Sequence, residues 1–358
     1  MMQTTAKILV HLVLGLVLLG VRVEAGEGEI RSTIEFMAGL GSRVAGYPGA
    51  GIAADYVEEQ FRQIGLEQVR REGFGVVVPM DRGGQLELAE TGEAFQVWGV
   101  WPNLVRAATL APEGLEAGMI YGGNGELAAY DGMELAGRIV LLEFNSGNNW
   151  LKAAALGAAA FVFIEPENTS WQQANGKFVE TPLDVPRFWM ERAAGERLRR
   201  YLVEGEKAVR LSGRTEWEQR RGWNILGEIR GRDEAMAAET IVLQAYYDGP
   251  SVVPGLAPAA EMASSIAGLL EVARYLRAHP PARSILLLAT GGHFQARQGM
   301  VDFVARHARR HQHYAAHLSD PLNIDLFIGL DLSSQSAQVG VWNNTSSFKL
   351  KRYYVSWI

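Results

Sequence analysis

The second half of the chain alternates between two spacings of apolar positions. Residues 284–290 (SILLLAT) are a continuous apolar run of strand length, 326–330 is another apolar strand, and 224–229 and 240–245 (TIVLQA) also read as strands. Residues 262–278 have helical spacing and stop at Pro280-Pro281, and residues 298–317 are again helical. Nearer the start, residues 51–64 put Ala54, Val57, Phe61 and Ile64 on one helix face, with Gly65 as the cap. Strands buried on both faces and alternating with helices predict an α/β fold, a mainly parallel sheet covered by helices.

Composition shifts between residues 71 and 214, which are rich in Gly and short apolar runs such as VWGVWPNLV, GRIVLLEF and AAFVFIE. This predicts a separate lobe over 71–214, with a sheet of its own, between an opening segment 26–70 and a body 215–358. The first 25 residues read differently. Lys7 precedes the apolar run ILVHLVLGLVLLGV, and Val23-Glu24-Ala25 offers small-residue cleavage chemistry before Gly26. A signal peptide over 1–25 is expected, with an uncleaved anchor as the alternative, and a secreted or periplasmic location follows from either. No membrane contact beyond that segment is expected.

A length of 358 residues allows one large or two ordinary domains, and 48% hydrophobic with 21% charged residues is ordinary for a globular chain. The net charge of −6, with no basic tract, argues against a nucleic-acid partner. The absence of cysteine removes disulfides, zinc–thiolate sites and a Cys nucleophile together. No Gly-x-Ser-x-Gly elbow supports a serine hydrolase.

Ligands of open α/β sheets bind beyond the carboxyl ends of the strands. Those ends carry Tyr246-Tyr247-Asp248, Gly291-Gly292-His293 and Asp331, and Glu261 sits where a loop enters the next helix. Asp248, Glu261, His293 and Asp331 are therefore expected at one edge. His293 reads as a base or metal ligand, or as a hydrogen-bonded loop residue. His307 and His311, and His313 and His317, are each one helical turn apart, but Arg306, Arg309 and Arg310 surround them and no HExxH glutamate accompanies them. A solvated basic helix face is the expectation there.

These residues resemble peptidase family M28, whose zinc aminopeptidases end a strand in Ala-His-x-Asp and follow it with a Gly-Ala-x-Asp-Asn-x-Ser-Gly loop. Here the strand ends in AYYD and the loop is GLAPAAEMASSIAG. The opening SRVAG before a helix and GLE after it is similar to that family too. The stretch YGGNGELAAYDGMELAGRIVLLEFNSGNNWLKAAALGAAAFVFIE resembles a protease-associated (PA) domain, which several M28 proteins carry as an insert at this place. The resemblance implies a phosphorylase/hydrolase-like fold of the zinc-exopeptidase type with a PA-like β-rich lobe over 71–214. It implies zinc as cofactor and a peptide or protein as substrate or ligand.

Carried over residue by residue, the resemblance puts Tyr246 at a metal-ligand histidine and Glu261 at the bridging aspartate. Asp331 is the retained second acid, and Asp248 the acid that orients the missing histidine. The adjacent glutamate pair that supplies the general base falls on Gly292-His293 or His293-Phe294, so no carboxylate stands there. No histidine follows His317 to serve as the late ligand, and the last residues read as an unfinished fold, so a C-terminal truncation is expected. A neutral tyrosine is a poor zinc donor, and a site without a carboxylate lacks the expected base. Three functions follow: a zinc aminopeptidase by descent; a non-catalytic protein binding peptides or partners through the old cleft; or a hydrolase with a single metal on Glu261, His293 and Asp331.

Overall fold

The computed structural model describes residues 26–103, 105–177, 182–256, 261–308, 321–333, 341–343 and 351–353. The expected signal segment, His311, His313 and His317 lie outside them, as does the side chain of Glu261.

In chain order the elements are α1 (Glu27–Ala38), α2 (Pro48–Ile64), β1 (Glu67–Leu88), β2 (Ala94–Gly99), β3 (Leu115–Tyr121), β4 (Ile139–Glu143) and α3 (Trp150–Ala155). Next come β5 (Ala160–Ile164), α4 (Trp171–Asn175), β6 (Arg187–Met190), α5 (Arg192–Val203), β7 (Lys207–Ile229) and β8 (Thr240–Tyr246). The chain continues with α6 (Ser264–Ala278), β9 (Ser284–Thr290), α7 (Gln298–His307) and β10 (Ile324–Gly329), and two short strands, β11 (Val341–Asn343) and β12 (Lys351–Tyr353), pair with each other.

Ten strands form one sheet in the order β1-β2-β6-β5-β4-β3-β7-β9-β8-β10, with β1 also paired to β7. Pairing is parallel through β3, β4, β5 and β6 at one end and through β9, β8 and β10 at the other. The ends are joined by antiparallel β1 and β7, 22 and 23 residues long. This corrects the expectation of two sheets: the GRIVLLEF strand, β4, lies in the same sheet as β8. The reason is that β1 and β7 run on without interruption through residues 71 and 214, where the composition changes. Each end still has its own core, one around Phe61, Leu243 and Leu270 and another around Leu141, Val162 and Leu211.

Helix α2 starts with Pro48 at its first turn, which suits proline's fixed φ and missing N–H. It ends at Gly65, whose φ of 83° is left-handed. Its buried Ala53, Ala54, Val57 and Phe61 pack with Ile225, Leu243 and Ala245, so the helix covers the body's sheet as its spacing predicts. Burying a side chain such as Phe61 contributes about 1.5–3 kcal/mol. Helix α6 lies on the same face through Ile266, Leu269, Leu270 and Ala273. The opposite face, with Leu226, Val242, Leu286 and Leu288, is covered by α7 through Phe303. Strand β8 divides its side chains accordingly: Ile241, Leu243 and Ala245 toward α2 and α6, Val242 toward α7.

Candidate active-site cleft

Parallel pairing brings three strand ends to one edge. Tyr246 at the end of β8 lies opposite Thr290 at the end of β9. On the other side Leu330, just past β10, donates its N–H to the Gln244 carbonyl at 2.7 Å, which carries the chain to Asp331. The loop after β9 turns on Gly292, whose φ of 67° is left-handed and whose carbonyl accepts from Gln298 N at 2.9 Å. Helix α7 then starts against the strand, where a Cβ on Gly299 would stand 2.3 Å from the Gly291 carbonyl oxygen.

Of the four residues expected at one edge, Asp248, His293 and Asp331 meet there, together with Tyr246, and the side chain of Glu261 lies outside the described residues. The Tyr246 hydroxyl lies 3.0 Å from Asp331 Oδ1, 3.3 Å from Ser333 Oγ and 3.7 Å from Met262 Sδ. Contact with Met262 puts the short turn Glu261–Ala263 beside Tyr246. Ser333 donates from Oγ to Asp331 Oδ1 at 2.7 Å and from its N–H at 3.3 Å. The ring of His293 lies on that of Tyr246, with centroids 4.1 Å apart and planes at 30°, and Phe294 meets both rings at steeper angles. His293 also donates its backbone N–H to Asp248 Oδ2 at 2.9 Å.

These contacts set the ionisation of each group. Burial raises the Tyr246 phenol, and the neighbouring Asp331 charge adds to that, so it stays a neutral donor. Burial opposes the charged form of Asp331 but is outweighed by the Ser333 and Tyr246 hydrogen bonds, which hold its carboxyl below the usual range. Burial, helped by the Arg297 charge, lowers His293 and favours neutral imidazole. Asp248 is fully buried and its Oδ1 has no hydrogen-bond partner among the described residues. Burial pushes it up to about 7, against the pull of backbone N–H groups and Arg43.

The donor set can be tested against the zinc pair that the resemblance implies. Among the described residues no three His, Cys, Asp or Glu side chains gather as a metal group. Asp331 is engaged by two hydroxyls, and Tyr246 stands where a ligand is needed. Asp248 is enclosed, with one oxygen on backbone N–H groups. These side chains do not fit a pair of zinc ions, whose sites need several deprotonated or imidazole donors converging on each ion.

Two features escaped the sequence. Ser333 was legible in principle, because a Ser two residues after an Asp readily closes a local side-chain turn. Gln244, a polar residue inside the apolar run of β8, donates its amide to Thr290 Oγ1 at 2.8 Å and lines a cavity of about 200 Å3 with Thr290, His293, Arg297, Met300 and Phe327. One expectation is corrected. His307 is not on a solvated basic face: it is 2% exposed and its Nε2 lies 2.8 Å from Glu72 Oε2, because α7 turns this side toward β1.

Residues 224–354 match the model of peptidase family M28. No curated protein matches the chain in sequence. Among solved structures, BSAP, a zinc aminopeptidase from Bacillus subtilis, aligns at 19% identity and a TM-score of 0.55, over 85% of this chain and 69% of that one. A peptidase M28 precursor from Shewanella amazonensis SB2B aligns at 15% identity and 0.49, over 81% and 68%. An aminopeptidase from Aneurinibacillus sp. strain AM-1 aligns at 18% and 0.44, over 87% and 71%. At such identities the likeness is one of fold, and the Bacillus subtilis protein carries it. No helix among the described residues is long and apolar enough to cross a membrane. The likeness to peptidase family M28 is thus carried by residues 224–354, within an α/β fold like that of the Bacillus subtilis protein.

Proposed function

We propose that this chain is a non-catalytic member of peptidase family M28, exported, which binds peptides at the strand-end cleft and does not hydrolyse them with a zinc pair. The observation that carries the reading is the Tyr246 hydroxyl 3.0 Å from Asp331 Oδ1. In a zinc site that carboxylate would spend its charge on the metal; here a phenol and the Ser333 hydroxyl take that part. The His293 ring packs on Tyr246, and no carboxylate occupies the loop 291–294 to activate a water. What remains is a concave edge with donors, acceptors and aromatic rings, suited to holding an extended chain. The relatives' zinc aminopeptidase activity supports a peptide as the ligand class.

The test offers fluorescent peptides of mixed sequence to the purified full-length protein with added zinc. Polarisation reads binding and mass spectrometry reads integrity. Saturable binding with intact peptides is the expected result. Stepwise loss of N-terminal residues, abolished by a chelator, would restore the aminopeptidase reading. Such loss abolished by His293→Ala, with a single bound ion, would favour a hydrolase using Glu261, His293 and Asp331.

A further inference from the structure

Arg297 is costly where it stands. It is the N-cap of α7, where the helix dipole disfavours a cation. Its φ is 57°, and that of Ala296 before it is 54°, so two side-chain-bearing residues in a row occupy the left-handed region. Its guanidinium has no acidic partner among the described residues, unlike Arg306 further along the same helix, which holds Asp302. Local violations of this kind without structural return concentrate at functional sites.

The side chain lines the cavity of about 200 Å3 beside Tyr246. The other polar walls are Gln244, Thr290 and His293, and no acid is among them. Gln244 and Thr290 are themselves buried, at 8% and 2% exposure. Thr290 Oγ1 accepts the Gln244 amide, so its own hydroxyl proton is left to donate. Met300 and Phe327 supply apolar wall. One exposed cation at the rim, a hydroxyl donor and an imidazole around an apolar recess suit a monoanion on a short apolar stem. The space admits one residue's end, well below a drug-sized site.

We infer that this cavity binds a peptide carboxylate, with the Arg297 guanidinium as its charge partner. The inference deepens the peptide-binding reading of the same cleft, and rests on it for the ligand class. A planar guanidinium pairs two-pronged with a carboxylate, and charge-assisted hydrogen bonds of that kind are about twice as strong as neutral ones.

The probes are N-acetyl-leucine and N-acetyl-leucinamide, which differ only in the charged group, titrated calorimetrically into the full-length protein. The acid should bind at least about tenfold more tightly than the amide. Arg297→Gly removes the guanidinium while relieving the left-handed backbone, so the variant should fold and melt no lower than the parent. It should lose the preference for the acid, and Arg297→Lys should keep part of it. Equal binding of acid and amide, or a preference that survives in Arg297→Gly, would overturn the inference.

Two longer peptides locate the carboxylate: one with a free C-terminus and no acidic side chain, one amidated with a single Glu. Arg297-dependent binding of the first assigns the terminal carboxylate; equal binding of the second assigns any peptide carboxylate. An uncharged amidated peptide that binds as well as either keeps the cleft reading and removes the carboxylate subsite. Binding of N-acetyl-leucine without any longer peptide does the reverse.

Discussion

Replacing Asp248 with asparagine probes a carboxylate that the fold encloses completely. Its Oδ2 receives the His293 N–H at 2.9 Å, while Oδ1 has no partner among the described residues. Burial moves its pKa from 3.8 to about 7. The folded value lies above the unfolded one, so between them the folded protein binds the extra proton. Stability contributed by the neutral acid is then present below the unfolded pKa and is lost as pH rises toward 7. About three pH units at about 1.36 kcal/mol each set a ceiling near 4 kcal/mol, and a relaxing protein environment brings the expectation to about 2–4 kcal/mol. Asparagine keeps an acceptor for the His293 N–H and cannot ionise, but its amide protons lack a partner, at about 1–3 kcal/mol. That penalty is the same at every pH and the ionisation effect is not. Unfolding in urea, followed by tryptophan fluorescence from pH 4 to 8, should show the variant gaining on the wild type by about 2–4 kcal/mol across the range. A gap between the two that stays constant from pH 4 to 8 would refute the reasoning.

Three further outcomes follow from contacts in the same region and across α7. Tyr246→Phe and Asp331→Asn, combined in a double-mutant cycle, should couple by about 0.5–1 kcal/mol at pH 7, a value reduced because Asp331 is largely exposed to solvent. Since the folded-state pKa of Asp331 is depressed, that coupling should fade as pH falls through it; independence of the two mutations at pH 7 would contradict the hydroxyl–carboxylate contact. His307→Ala should cost about 2–4 kcal/mol by urea unfolding, since it opens a cavity beside Phe303 and leaves the largely buried Glu72 with Arg70 alone among its described ionic partners; a loss under about 0.5 kcal/mol, the size of an ordinary surface change, would mean that the pair is not buried in solution.

Much of the body was legible because its elements are strongly periodic. Strand β9 begins at Ser284 and ends at Thr290 as the apolar run predicts, and α2 buries the face that its spacing marks. The meeting of Asp248, His293 and Asp331 followed from strand ends in a partly parallel sheet, a property of topology rather than of any one side chain. The single sheet was not legible. Between the two cores β7 reads SGRTEWEQRRG, polar and without an apolar run, and β1 is interrupted by Gly75, Pro79 and Gly83-Gly84, so a change of surroundings reads like a change of domain. Residues 71–81 and 215–225 find each other only in the folded ladder. His307 was misplaced because its neighbours in sequence are basic, whereas its surroundings are set by Glu72, 235 residues away. The hydroxyl on Asp331 was hidden for the same reason: 85 residues separate it from Tyr246, and side-chain direction there depends on strand register.

The central claim is that Tyr246 and Ser333 take the place of metal at Asp331. It is tested most directly by elemental analysis of the purified full-length protein after zinc loading and removal of loose metal, with anomalous scattering to locate any ion. The account predicts less than one zinc per chain and no leucyl-amide hydrolysis. Two zinc ions per chain bridged by Glu261, with leucyl-amide hydrolysis lost in Glu261→Ala, would contradict it.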